Sequence, residues 1–274
     1  PMRTVVADLH MHTHYSDGTL SPADLVREMA EGGIEVLSVT DHDTIAGLEE
    51  ARAAAEEHGV ECVPGVELTV TVGDDVIHLL GYGFDASDAS LRSYLSAFAD
   101  QRRERMERMV EMLRKDGVDI SMEDVLAGVN PSASLGRPHL AEALVRGGIV
   151  STQEDAFREY IGNGQVAYVP APGRPAEEGI DRVHQAGGFV SVAHPGQWMS
   201  SATLRRLLRM GVDAIECRCP SHAPYLVDYY RKRCETAGLL VTGGSDFHTR
   251  DRHEERVGDV GLSAGEWVAL QARA

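Results

Sequence analysis

Short apolar runs alternate with amphipathic stretches over the first part of the chain. Ser21 followed by Pro22 is typical of a helix start, because serine caps the first turn and proline suits the first helical position. Strand-like runs separated by such helices indicate parallel strands in a sheet or a barrel. The predicted strands cover residues 3–9, 35–40 and 60–66, and the predicted helices cover residues 21–31 and 44–58.

The pattern changes twice further along the chain. Two alternating runs around residues 73–75 predict a β-hairpin. Residues 87–165 then follow a helical period without a convincing strand, which predicts a helical insertion domain. Alternation of strands and helices resumes beyond it. We therefore predict an α/β fold in which residues 1–86 and 166–274 form a closed or nearly closed barrel of about six or seven strands.

Composition limits the possible partners. The chain has 274 residues and a formal net charge of -17, which argues against non-specific binding to duplex DNA or to anionic membranes. A small phosphorylated substrate remains possible, because bound divalent cations would invert the local field. The 4 cysteines are too few for a disulfide framework, so we expect a reducing, cytoplasmic location.

Histidines and acids concentrate where apolar runs end, in five segments of the chain. Carboxylates and imidazoles gathered from several strand ends are typical of a site for two or three divalent cations. Taken singly, some of these residues have simpler explanations. Asp17 fits an ordinary turn, and His78 fits a histidine in the core. The candidate metal ligands are His10, His12, Asp17, His42, Glu67, His78, His194, Asp246 and His248.

Local patterns support this interpretation. His10 and His12 are two residues apart and would share one face of a strand, and Asp246 and His248 repeat the spacing. We expect the preceding glycines, 243 and 244, to let the backbone pass close to a crowded centre. Asp41 is a candidate to orient a ligand histidine, and Asp43 is a candidate helix cap.

In order, these motifs resemble those of the polymerase and histidinol phosphatase (PHP) family of metal-dependent phosphoesterases. The resemblance covers the whole chain and implies a distorted (β/α)7 barrel that holds three divalent ions, most often manganese, with iron or zinc as alternatives. It assigns His10, His12, Glu67 and Asp246 to the first ion. The second would share Glu67 and add His78 and His194, and the third would take Asp17, His42 and His248.

Within that family, residues 16–22 and the helical insertion resemble the branch of nucleoside 3′,5′-bisphosphate phosphatases. The resemblance implies removal of the 3′-phosphate from adenosine 3′,5′-bisphosphate by water, without a serine or cysteine nucleophile. Some members also trim short oligoribonucleotides from the 5′ end. A histidinol-phosphate phosphatase and a non-catalytic metal-binding module are the alternatives, and the oligomeric state stays open.

Further residues are candidates for substrate contacts and proton transfer. Arg137, in a segment that resembles the branch's substrate-facing motif, would clamp the second phosphate with its planar guanidinium. His139 and Arg250 are further candidates for substrate binding. His222 follows a predicted strand and is a candidate to protonate the leaving group. Residues 102–108 alternate basic and acidic side chains, which predicts a solvated helix face.

Overall fold

Two β-sheets form the framework of the protein in the computed structural model, which describes residues 5–249 and 258–272. The first sheet is short and parallel, with the strand order β1-β2-β3. Its residues are buried in β1 and β2, as expected for parallel strands covered on both faces. The three strands are β1 (Ala7–Asp8), β2 (Val36–Leu37) and β3 (Glu61–Cys62).

The second sheet has the strand order β6-β4-β5-β7-β8-β9. The predicted hairpin is confirmed, because β4 and β5 pair antiparallel and Gly65 lies opposite Tyr82. Strand β5 is also antiparallel to β7, whereas the remaining pairs are parallel. The strands are β4 (Gly65–Val72), β5 (Asp75–Tyr82), β6 (Arg174–Pro175), β7 (Phe189–Val192), β8 (Ala214–Arg218) and β9 (Leu240–Gly243).

Isolated bridges join the two sheets on both sides. His42 pairs with Glu67 beyond the end of β2, and Met11 pairs with Phe247 beyond the ends of β1 and β9. The α/β prediction is confirmed, but the closed barrel is not, because the ladders of the described residues form two sheets linked by single bridges. We call these two junctions the seams. There the backbone departs from regular strand geometry, and several of the predicted site residues lie close by.

Helices cover the sheets, and several begin as the sequence predicts. The Ser21 hydroxyl accepts a hydrogen bond from the Asp24 amide at 3.1 Å, which caps the first helix. In the described part of the chain, no helix is long and apolar enough to cross a membrane. The helices outside the insertion are α1 (Pro22–Glu31), α2 (Leu48–His58), α7 (Ala176–Gln185), α8 (Ser201–Met210), α9 (Pro224–Ala237) and α10 (Ala264–Gln271).

The predicted insertion is helical in the structure. A π-helical turn, Phe157–Ile161, follows its last α-helix. The second half of the long helix α3 packs into a core of its own with side chains from the other helices of this region. The first half, from Leu91 to Phe98, packs instead on the second, six-stranded sheet. The helices are α3 (Ala89–Lys115), α4 (Met122–Leu126), α5 (Arg137–Arg146) and α6 (Gln153–Ala156).

The prediction of a solvated face for residues 102–108 is wrong at three positions, of which Met106 packs into the core of the insertion. Arg102 and Arg105 are buried. The Arg102 guanidinium donates from Nε to the Asp43 carboxylate at 2.9 Å and from Nη1 to the Leu135 carbonyl at 3.0 Å. Arg102 therefore ties α3 to the seam beside His42 and to the loop that precedes α5. Composition alone did not distinguish these arginines from their exposed neighbours.

We expect the Arg102→Met variant to lose about 3–5 kcal/mol of unfolding free energy, because it leaves the buried Asp43 carboxylate without its cation. The measurement is urea unfolding followed by circular dichroism. Arg103→Met is the matched control, since Arg103 makes only an exposed ion pair with Glu107 and should cost less than about 1 kcal/mol. Equal losses in the two variants would contradict the structural role of Arg102.

Candidate metal centre

All nine candidate metal ligands of the sequence lie together in one cluster. Their nitrogen and oxygen atoms fall into overlapping groups in which the atoms lie within 4.8 Å of one another. One group contains His12, Asp17, His42 and His248. The others are His10 with Glu67 and His194, His10 with His12 and Asp246, and His42 with Glu67 and His78.

The local fold explains how the first pair reaches this centre. His10 and His12 follow the end of β1 and are fully buried, and the intervening Met11 packs into an apolar core on the other side. The expectation of a close backbone approach is confirmed at Gly244, where a Cβ atom would lie 2.4 Å from the His10 Cβ. Only glycine permits this contact, so the β9 end can bring Asp246 beside the two imidazoles.

The Glu67 carboxylate is the hub of the cluster. It is fully buried at the start of β4, and both of its oxygens face imidazole nitrogens. Its Oε1 lies 2.9 Å from His78 Nδ1 and 2.9 Å from His194 Nε2. Its Oε2 lies 3.4 Å from His10 Nε2, 3.2 Å from His12 Nε2 and 3.1 Å from His42 Nδ1.

Two aspartates close the cluster on the other side of His12. The Asp246 Oδ1 atom lies 3.2 Å from His12 Nε2 and 3.3 Å from His10 Nε2. Asp17 Oδ1 lies 3.4 Å from His248 Nε2. The rings of His12 and His248 stack at a centroid distance of 4.2 Å, which places their nitrogens side by side.

Several of these buried atoms have no hydrogen-bond partner. A buried polar atom left unpaired costs about 1–3 kcal/mol, and more if it is charged. These atoms belong to groups in which the nitrogens and oxygens lie within 4.8 Å of one another, and their mixed nitrogen and oxygen chemistry suits manganese, iron or zinc. The residues therefore fit divalent metal ions. The atoms are His10 Nε2, His12 Nε2, Asp17 Oδ1, His42 Nδ1 and Glu67 Oε2.

Electrostatics within the cluster are set by burial and by the acids. Burial lowers the pKa of His12, but the Asp246 and Glu67 carboxylates outweigh it and raise the pKa to about 10. For His42 burial dominates and lowers the pKa to about 3. Despite burial, the surrounding imidazoles hold the pKa of Glu67 well below its usual range. Without metal ions, His12 is therefore a cation, His42 is neutral and Glu67 is ionised at neutral pH.

Backbone strain is concentrated at the same place. Three residues other than glycine have a positive φ among the described residues, namely Asp43 at 51°, His194 at 23° and Asp246 at 52°. Such conformations cost about 1–3 kcal/mol each and persist where the surrounding structure enforces them. Here they turn the chain sharply, so that His194 and Asp246 enter the cluster and Asp43 meets Arg102.

Glu216 is a supporting residue that sequence reasoning missed. It is fully buried in β8, and its Oε1 atom lies 2.9 Å from His10 Nδ1. Its Oε2 atom accepts a hydrogen bond from the His194 amide at 2.6 Å. Glu216 therefore orients His10 so that Nε2 faces the cluster, and it holds the strained His194 backbone. An acid inside an otherwise apolar strand was the available signal.

Two acids beside His42 differ from their predicted roles. Asp41 does not hydrogen-bond a ligand histidine, because its carboxylate accepts from the Thr13 amide at 2.7 Å and from the Ser16 hydroxyl at 2.6 Å. It holds the loop that leads to Asp17. The prediction that Asp43 caps a helix is wrong, since α2 begins at residue 48 and its cap residue is Gly47.

His222 does not face the cluster with a free nitrogen. Its Nδ1 atom lies 2.9 Å from the Cys217 carbonyl, and its Nε2 accepts from the Gly196 amide at 2.9 Å. Its ring also stacks on Tyr230. With both nitrogens engaged by backbone groups, His222 fixes the loop after His194, and this geometry gives no support to the proposed proton transfer.

The remaining candidates lie on or outside the insertion. Arg137 begins α5, and its guanidinium lies over the rings of Phe157 and Tyr168, at 5.3 Å and 5.6 Å from their centroids. The His139 ring turns back on its own helix start, because Nδ1 accepts from the Gly136 amide at 3.0 Å. Arg250 lies outside the described residues.

Comparison with known proteins identifies the family of this chain. Residues 8–122 match the model of the PHP domain. A 3′,5′-nucleoside bisphosphate phosphatase of Chromobacterium violaceum is 30% identical over 97% of this chain and 96% of its own length. The chain belongs to the PHP family. It is accordingly a metal-dependent phosphoesterase, with clusters of side chains able to bind metal ions.

Two further PHP relatives are similar over most of the chain. A 5′-3′ exoribonuclease of Haemophilus influenzae is 32% identical over 88% of this chain and 89% of its own. The crystal structure of a protein described as a metal-dependent phosphoesterase, from Bifidobacterium adolescentis, superimposes with a TM-score of 0.90. It is 33% identical and covers 98% of this chain and 96% of its own. The fold and the family are therefore shared, while the relatives' named substrates differ.

Replacement of Glu216 by glutamine should weaken manganese binding by about 10- to 100-fold, because His10 loses the carboxylate that sets its orientation. The measurement is calorimetric titration of the metal-free protein. Glu235→Gln on the exposed face of α9 is the matched control and should leave the affinity unchanged. An unchanged affinity in Glu216→Gln would contradict the orienting role.

Metal uptake should release protons, because His12 must lose its proton before Nε2 can bind a cation. With a pKa of about 10 for His12, the affinity for manganese should rise with pH up to that value, and binding at neutral pH should release about one proton from this residue. The proton count follows from calorimetry in buffers of different ionisation enthalpy. Uptake without proton release would show that His12 is neutral beforehand.

Proposed function

We propose that this enzyme removes the 3′-phosphate from nucleoside 3′,5′-bisphosphates, such as adenosine 3′,5′-bisphosphate, and yields the nucleoside 5′-monophosphate. The observation that carries the proposal is the set of buried, unpaired nitrogen and oxygen atoms around Glu67. Those atoms need divalent cations, and cations at this place would attract a phosphate. The named activity of the Chromobacterium violaceum relative supports the choice of nucleotide.

We assign three divalent ions to the cluster, with manganese as the preferred metal. His10, His12, Glu67 and Asp246 would hold the first ion, which agrees with the short distances around His10 and His12. Glu67, His78 and His194 would hold the second. Asp17, His42 and His248 would hold the third, and His12 lies close enough to share it.

Bound ions would supply a nucleophilic water at neutral pH and would neutralise charge on the phosphate oxygens. The chain's own residues set the conditions for this chemistry. Glu67, Asp17 and Asp246 are ionised and would repel a phosphate if no cations lay between them. Glu216 and the Gly244 contact fix the imidazoles in place, so little reorganisation is needed during the reaction.

Arg137 is the residue we assign to the 5′-phosphate of the substrate. It is the first residue of α5, directly after the loop that Arg102 ties to Asp43. The rings of Phe157 and Tyr168 and the Asn163 side chain fix its guanidinium. A fixed planar guanidinium is suited to bidentate contact with a phosphate.

Short RNAs are a second substrate class that we propose for the same site. The Haemophilus influenzae relative, a 5′-3′ exoribonuclease by name, supports it. A nucleoside bisphosphate and the end of an RNA share a phosphate next to a nucleoside. One metal centre can therefore act on both, provided that the space beside it admits a strand.

Phosphate release from a panel of phosphomonoesters with manganese tests the proposal. Adenosine 3′,5′-bisphosphate should be hydrolysed with a kcat/KM at least tenfold above that of histidinol phosphate. Glu67→Gln should reduce kcat by more than about 100-fold, because the hub of the ion cluster loses its charge. Glu49→Gln, an acid on the surface of α2, is the matched control with unchanged activity.

Faster turnover of histidinol phosphate would overturn the substrate assignment while leaving the metal centre intact. A protein that binds manganese but releases no phosphate from any ester would instead be a non-catalytic metal-binding PHP module. The Arg137→Lys variant separates the two phosphates of the substrate. It should raise KM for adenosine 3′,5′-bisphosphate and change KM for a nucleoside 3′-monophosphate far less.

A further inference from the structure

Aromatic side chains are rare in this chain, yet a row of them lies exposed along the loop that follows His194 and the neighbouring helix α9. Trp198 is 59% exposed, Tyr225 is 58% exposed and Tyr229 is 41% exposed. The chain has only 2 tryptophans, so an indole left in water at this place is notable. Singly exposed apolar residues are ordinary, but adjacent aromatics next to a reaction centre favour a binding surface.

The first aromatic is tied closely to a proposed metal ligand. Trp198 follows His194 by four residues, so their Cα atoms are at most about 14 Å apart. Its indole packs on Gly196, where a Cβ atom would meet the indole nitrogen at 2.7 Å. The Gly196 carbonyl accepts a hydrogen bond from the Tyr230 hydroxyl at 2.7 Å, and its amide donates to His222. The indole therefore rests on a rigid backbone.

The row continues along α9. The Gln197 side chain donates a hydrogen bond to the Tyr225 hydroxyl, which joins the loop to the start of the helix. Tyr225 and Tyr229 are four residues apart and share one face of α9. The Arg233 guanidinium lies one turn further, 5.2 Å from the centre of the Tyr229 ring. The loop and the helix thus carry three exposed aromatic side chains, with a cation beside the last of them.

We propose that Trp198, Tyr225 and Tyr229, with Arg233, form a stacking track for the nucleobases of a short single-stranded oligoribonucleotide whose end lies in the metal centre. The proposal rests on the proposed function, and it extends that function to the part of the strand that is not cleaved. Bases stack on aromatic faces without sequence preference, and a nearby arginine can neutralise a phosphate. The strongly acidic remainder of the chain would confine RNA to this local track.

The test compares two oligonucleotides of equal length, both with phosphorothioate linkages that resist hydrolysis. One is an oligoadenylate and the other has abasic positions. The manganese-loaded protein should bind the oligoadenylate about 5- to 150-fold more tightly than the abasic strand, which is the contribution expected from stacking of one base. Trp198→Ala should lower this ratio by the contribution of one stacked base, about 5-fold or more, and Trp198→Tyr should restore most of it.

Tryptophan fluorescence provides a second readout. In the Trp267→Phe background, Trp198 is the remaining tryptophan, and its emission should be quenched by the oligoadenylate but not by the abasic strand. Trp267 is half-buried against a separate core cluster, so its replacement is a matched control for the loss of one indole. Tyr225→Leu should reduce the quenching, because the next base loses its support.

Equal affinities for the oligoadenylate and the abasic strand would overturn the proposed stacking track. A ratio of these affinities that Trp198→Ala leaves unchanged would do the same. The protein could instead be a dimer that Trp198→Ala converts to monomers without changing the affinity ratio. That result would assign the aromatic side chains to a contact between two copies of the chain, and it would also overturn the proposed stacking track. Failure of the proposed function is distinguishable, because it appears as absent phosphate release, whereas the binding ratio and the quenching require no hydrolysis.

Discussion

A carboxylate removed from water and surrounded by imidazoles is the constraint on which the site depends. Glu67 has no exposed surface, and five histidines face its two oxygens. Such an arrangement is unstable as an isolated charge and becomes favourable when cations share the space. The requirement explains why the surrounding backbone and the neighbouring acids are arranged as they are. It also links metal binding to the stability of the fold.

Successive layers of contacts support this centre. Glu216 holds His10 and the His194 amide, and Gly244 lets a strand end pass close beside His10. Further out, Arg102 connects Asp43 to the loop before α5. The helical insertion is thereby joined to the metal centre by a buried ion pair. The position of the loop before α5 and the orientation of the Asp43 carboxylate beside His42 are set by the same arginine.

The sequence predicts much of this structure because strand-end positions carry the relevant chemistry. Alternation placed His10 and His12 on one face, and the hairpin of β4 and β5 was clear from its turn residues. Features that depend on tertiary contacts could not be predicted in the same way. The burial of Arg102, the two bonds of Glu216 and the backbone partners of His222 arise from elements far apart in sequence. The seams that interrupt the predicted barrel have the same origin.

The left-handed backbone at Asp43, His194 and Asp246 has an evolutionary consequence. Glycine or asparagine would relax the chain at His194 and Asp246, so mutations that increase thermal stability should be easy to find at these two turns. Both would remove a side chain of the cluster, and the same change at Asp43 would remove the partner of Arg102. Selection for durability alone would therefore erode catalysis. The present residues persist only while selection for activity outweighs the strain.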